Sequence, residues 1–79
     1  MKLQYAIGDT LRNLRQERHM TLRNLSIKSN VAIAHISDVE RGRKQLSNDL
    51  LESVAHGLNL STVELLGEIY DYLKEHNEV

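Results

Sequence analysis

Apolar residues recur along this chain at helical spacing, in five runs separated by polar or turn-forming residues. Ile7, Leu11 and Leu14 mark one face of a first helix over about 7–18, with Arg12, Arg15 and Arg18 advancing every three residues beside it. Residues 1–6 carry little pattern and read as a frayed end or an N-terminal extension of that helix. Leu22 and Leu25 predict a second helix over about 22–29. Thr21 is placed to accept from its first free N–H groups, and Asn30 stands where a left-handed residue would stop it. Val31, Ile33, Ile36 and Val39 carry a third helix over about 33–41, ended by Gly42, with Ile36 and Val39 spaced for the core. Leu50, Leu51, Val54, Ala55 and Leu58 form the buried stripe of a fourth helix over about 48–58, which is capped by Ser47 and expected to close against the first and third. Ser61-Thr62-Val63-Glu64 has the capping-box form, so a fifth helix starts at about 62 and runs to about 76. Its apolar set does not stop at Leu65 and Leu66. It continues through Ile69, Tyr70, Tyr72 and Leu73, beyond what a small core needs, and so calls for a cover.

The pattern predicts an all-α fold of five helices in one domain, with no strands. Composition agrees. The chain has 79 residues, no Pro and no Cys, and three Tyr are its only aromatic residues, so Leu, Ile, Val and Ala must supply the core. A chain this short is near the size where one core becomes marginal and association with a second copy helps. Without Cys, neither a disulfide nor a thiolate zinc site can staple it. The first residues lack the apolar run of a secretion signal and no stretch approaches spanning length, so a cytoplasmic location is expected.

The chain's net charge of −1 conceals a division along it. Residues 1–44 hold nine Lys/Arg against four Asp/Glu, a net of +5, whereas residues 45–79 hold one Lys against seven acids, a net of −6. One end is suited to a polyanion and the other is turned from it, through Glu68, Asp71, Glu75 and Glu78 in the last helix. Catalytic chemistry finds little support. His19, His35, His56 and His76 have no metal-ligand spacing, and no Gly-rich phosphate loop, H-E-x-x-H or nucleophile elbow occurs. No enzyme activity, cofactor, metal, small-molecule ligand or membrane partner is expected.

The informative stretch is residues 21–42, TLRNLSIKSNVAIAHISDVERG: two short helices joined by a turn of three or four residues, the unit whose second helix enters the major groove of DNA. With Ile36 and Val39 turned inward, Ile33, Ala34, His35, Ser37 and Asp38 are left as base-contact candidates. Imidazole donates to guanine acceptors, Asp accepts from cytosine N4, and Ile33 meets either a thymine methyl or a partner helix. Arg41, Arg43 and Lys44 form a basic cluster at the end of the third helix, suited to phosphates, and Arg23, Ser47 and Asn48 are further phosphate candidates near helix starts.

This stretch resembles the helix-turn-helix of Cro/C1-type regulators, the xenobiotic-response-element family. The likeness rests on Leu25-Ser26, Asn30-Val31 and Ile36-Ser37-x-Val39-Glu40-Arg41-Gly42, with Leu11-Arg12-x-Leu14-Arg15 upstream and Leu58-x-Leu60-Ser61 downstream, and covers about residues 7–66. Departures are Ser26 and Asn30 where the family usually has Ala and Gly, Ala32 where Ser often caps, and Leu46 where Pro is common. The run VAIAHISDVERGRKQLSNDLLESVAHGLNL is similar, more narrowly, to the Clp-protease gene regulators of actinobacteria. The resemblance implies a five-helix lambda-repressor-like fold, double-stranded DNA as partner, and an ion pair between Arg15 and Glu40 tying the first helix to the recognition helix. Its narrower form implies activation of Clp protease genes. A homodimer through Leu66, Ile69, Tyr70, Tyr72 and Leu73 is the expected use of the long fifth helix, because half-sites one DNA turn apart need two recognition helices about 34 Å apart. The alternative for that stripe is that the tail wraps the first helix. The alternative for the whole chain is a protein-interaction module, such as an antitoxin or a bridging factor.

Overall fold

Side-chain caps decide where the helices begin. In the computed structural model, which describes residues 3–76, the elements are α1 (Leu3–Glu17), α2 (Leu22–Ser29), α3 (Ile33–Glu40), α4 (Asn48–Gly57) and α5 (Thr62–Glu75). Lys2 and Glu78, which enter the charge division above, lie outside the described residues. Thr21 and Ser61 each open a capping box: the Thr21 hydroxyl accepts from the Asn24 N–H and the Asn24 amide oxygen accepts from the Thr21 N–H, while Glu64 plays the reciprocal part for Ser61. The Ser61 backbone N–H, joined by the Ser61 hydroxyl, holds the Glu64 carboxyl below its ordinary pKa. The Ser47 hydroxyl accepts from Leu50 at the head of α4. Ala32, at the head of α3, provides no such bond.

The helix ends share one device. His19, Asn30, Gly42 and Asn59 all have positive φ, from 54° to 73°, and each stands just past one of the first four helices. After each of the four the next N–H reaches back to a carbonyl of the last turn: Met20 to Arg15, Val31 to Ser26, Arg43 to Asp38 and Leu60 to Ala55. Asn30 and Gly42 were legible as stops. His19 was not, although His is, with Asn and Asp, among the side chains enriched at positive φ.

Helix α1 begins four residues before the apolar periodicity predicts. Its first turn is held by the chain segment after α3 instead of by the core, as described below. The core gathers Leu11, Leu14, Leu25, Val31, Ile36, Val39, Val54, Ala55, Leu58, Leu65 and Ile69. Helix α4 lies chiefly on α2 and also on α5, which corrects the expectation that it closes against α1 and α3. Helix α3 is seated between α1 and α2. At Gly8 the backbones of α1 and α3 approach so closely that a Cβ would overlap the Val39 carbonyl oxygen. A bare backbone there sets the height at which α3 rides on the molecule.

Candidate nucleic-acid interface

Two anchors below and one ion pair behind orient α3. Ile36 and Val39 are each 1 % exposed and fill the core, so the opposite face of the helix must point to solvent. From behind, Arg15 grips Glu40 in a two-point contact, Nε to Oε2 at 2.8 Å and Nη2 to Oε1 at 2.9 Å. The remaining guanidinium nitrogen donates to the Met20 carbonyl at 2.7 Å. Both side chains are largely withdrawn from water, 12 % and 6 % exposed, and the carboxylate raises the arginine's pKa above its ordinary value, so the charge is fixed. The turn between α1 and α2 is thereby tied to the end of α3.

On the outer face Ile33 and Ala34 are exposed, and Ser37 and Asp38 are partly so. His35 is placed differently from its neighbours. Its ring is partly buried, and Nε2 is closed off from solvent without a hydrogen-bond partner. A base contact through that nitrogen requires the ring to turn outward. Asp38 is engaged by Lys44, with Nζ 3.6 Å from Oδ2.

Just beyond α3 the chain presents Arg41, Arg43 and Lys44, all exposed, around a buried Gly42. Arg23 is exposed at the first turn of α2, and Asn48 at that of α4. Ser47 is exposed too, though its hydroxyl already accepts from the Leu50 N–H and has only its own proton left to give. Arg18 donates to the Leu58 carbonyl at 3.0 Å and to the Leu14 carbonyl at 3.1 Å, bridging the ends of α1 and α4. Gln4 and Tyr5 were not anticipated at all. The Gln4 amide donates to the Gly42 carbonyl at 2.6 Å, and the Tyr5 ring lies where a Gly42 side chain would be. No periodicity flags them, because both meet Gly42, which is 38 residues from Gln4 in sequence.

The fifth helix divides the residues expected at a dimer interface. Ile69 is 5 % exposed and belongs to the core, Leu73 packs against that core, and the Tyr72 hydroxyl donates to Asp9 Oδ2 of α1 at 2.6 Å. Within one copy Ile69 and Leu73 serve the core and Tyr72 the α1–α5 contact, the alternative left open for the tail. Leu66 and Tyr70 remain outside, 49 % and 50 % exposed, joined by Val63 at 78 %. Positions 63, 66 and 70 share one helical face, and Gly67 beside them opens onto empty space. The periodicity showed too many apolar positions for one face but not which of the two faces would be covered.

Comparison with known proteins agrees with this geometry. The model of the helix-turn-helix domain family matches residues 6–66. The transcriptional regulator ClgR of Mycobacterium tuberculosis is 39 % identical over 54 residues, covering 68 % of this chain and 48 % of that protein. This chain therefore spans about half the length of the relative. The crystal structure of the clp gene regulator ClgR from Corynebacterium glutamicum superposes with a TM-score of 0.87 at 36 % identity, over 98 % of this chain and 82 % of that one. The restriction-modification controller protein C.Esp1396I, solved as a tetramer on its natural 35 base-pair operator, superposes at 0.88 with 27 % identity over 94 % and 97 % of the two chains. Residue pattern, helix order and the presentation of α3 lead to one conclusion: the chain belongs to the helix-turn-helix domain family and has the Cro/C1-type fold of DNA-binding transcription regulators.

Proposed function

We propose that this chain is a sequence-specific transcription regulator that binds a pseudo-palindromic operator as a homodimer, one α3 entering the major groove in each half-site. The observation that carries the reading is the company kept by α3: an outward face of Ile33, Ala34, Ser37 and Asp38 beside an exposed Arg41, Arg43 and Lys44 cluster. Base-edge chemistry and phosphate chemistry thus lie next to each other on one side of the molecule. His35 joins the base contacts when its ring turns outward. Arg23, Ser47 and Asn48 add phosphate contacts from helix starts, the serine through its hydroxyl proton. Two copies meet through Val63, Leu66 and Tyr70. Likeness to the two ClgR proteins, one a clp gene regulator by name, supports control of Clp protease genes; we take the control to be activation and the location to be cytoplasmic.

Selection of bound duplexes from a random pool tests the reading. The expected result is a consensus of two related half-sites about one helical turn apart. An unselected pool, with no salt-dependent binding and a monomer in sedimentation, favours a protein-interaction module instead. The division of labour is tested by two substitutions. Asp38→Ala changes preference among half-sites, while Lys44→Ala weakens all duplexes and lowers the slope of log affinity against log salt by about 1. Equal responses from the two variants would refute it.

A further inference from the structure

The basic cluster after α3 is not a free loop. Gly42, at its start, is fastened from two directions by the first turn of α1: Gln4 Nε2 donates to its carbonyl at 2.6 Å, and the Tyr5 ring covers its Cα. Three residues later Gln45 Nε2 reaches Gln4 Oε1 at 3.4 Å. Arg43 and Lys44 are strung between those two fastenings with their side chains exposed. Within the segment, the Arg43 N–H is given to the Asp38 carbonyl at 2.8 Å, which closes the turn on the end of α3.

Building on the proposed DNA contact, we infer that Gln4 and Tyr5 are positioning residues for phosphate binding, which hold Arg43 and Lys44 in place before DNA arrives. A loose loop would have to be ordered on binding, at a cost for each immobilised side chain, and a fastened one has met that cost on folding. Gly42 suits the role for two reasons. Its φ of 73° disfavours any side chain, and a Cβ there would collide with the Tyr5 ring. The tyrosine contributes its ring face, so its hydroxyl is dispensable. Gln4 contributes a donor, which Glu could not supply.

The prediction is specific in kind. Gln4→Ala and Tyr5→Ala each weaken binding to the selected operator and to an unrelated duplex alike, by about three- to tenfold, leaving the ratio between them unchanged. Tyr5→Phe binds as the parent does, and amide exchange at Arg43 quickens in both alanine variants. A double-mutant cycle separates positioning from general support of the fold. The two substitutions are repeated in an Arg43→Ala, Lys44→Ala background, in low salt where the remaining contacts keep binding measurable and well below every melting transition. There they should have no further effect. Equal losses in both backgrounds would overturn the inference, as would Tyr5→Phe behaving like Tyr5→Ala. If the unsubstituted chain binds no duplex at any salt concentration, it is the proposed function that fails, a result recognisable before any variant is made.

Discussion

Glu40 gives both carboxylate oxygens to a single guanidinium, at 2.8 and 2.9 Å, in a place where water hardly reaches either partner. A pair so placed can be matched by an apolar substitute, but breaking it leaves a poorly solvated charge without its counter-ion. Glu40→Ala should therefore cost about 3 to 5 kcal/mol of folding stability, read as a lowered midpoint in denaturant, together with weaker DNA binding as α3 loses its rear support. A variant that melts like the parent would contradict the role assigned to the pair. Asp38 and Lys44 form the useful contrast. At 3.6 Å, with both side chains in substantial contact with solvent, their attraction is screened and worth about 0 to 1 kcal/mol, so Asp38→Ala should leave the denaturation midpoint nearly unmoved. Helical spacing located Glu40 beside Val39, yet nothing in residues 15 and 40 taken alone says that they meet. The resemblance implied the pairing, and the geometry supplies its two-point form and its third bond to Met20.

At the scale of elements, the α1–α5 contact carries a pH-sensitive bond. The Tyr72 hydroxyl donates to Asp9 Oδ2, and this bond to a carboxylate raises the phenol from its ordinary value of 10.0 to about 12, with burial and the aspartate charge adding to the shift. The His76 ring stacks on that tyrosine with centroids 4.0 Å apart. Below pH 10 the phenol is neutral in the folded and unfolded chain alike, and the bond's contribution is complete. As pH rises towards about 12 the unfolded chain loses the proton first, so the contribution declines and is gone once the folded phenol ionises too. Unfolding free energies of the parent and Tyr72→Phe, compared by denaturant titration across that alkaline range, should converge as pH rises. A constant difference would mean that the proton of this bond plays no part in it. The apolar pattern announced a long α5 and its surplus stripe. Which of its faces would meet α1 depended on Asp9 standing opposite Tyr72, 63 residues away, and a one-dimensional pattern does not hold that information.

The described residues extend 33 × 23 × 23 Å and present one α3, too little to reach two half-sites about 34 Å apart. On the proposed reading two copies are needed, and the exposed face of Val63, Leu66 and Tyr70 is the apolar surface on α5 offered to join them. Tyr70→Lys should give a monomer in sedimentation velocity with the parent's helical circular dichroism. It should lose far more affinity for a two-half-site operator than for an isolated half-site, because the linkage between two recognition helices is what it removes. A dimer that persists would place the interface elsewhere. The charge division has its meaning at this scale. The basic cluster around Arg43 follows α3, whereas Glu68, Asp71 and Glu75 lie along α5, so the charge that attracts a polyanion is confined to one part of the chain.

Helix number, order and type, the stops at Asn30 and Gly42, the capping box at Ser61 and the split of charge were all determined by the chain's own residues. Each depends on neighbours within a turn or on a count, and local hydrogen bonding and periodicity are carried by adjacent positions. The tertiary structure alone decided that α1 starts at Leu3, that Gln4 and Tyr5 fasten the segment after α3, that His35 tucks one ring nitrogen away from solvent, and that Ile69 and Tyr72 turn inward while Leu66 and Tyr70 stay out. Those are contacts between residues far apart along the chain. They are selected by which apolar faces and polar partners the packing brings together, and only the assembled molecule decides that.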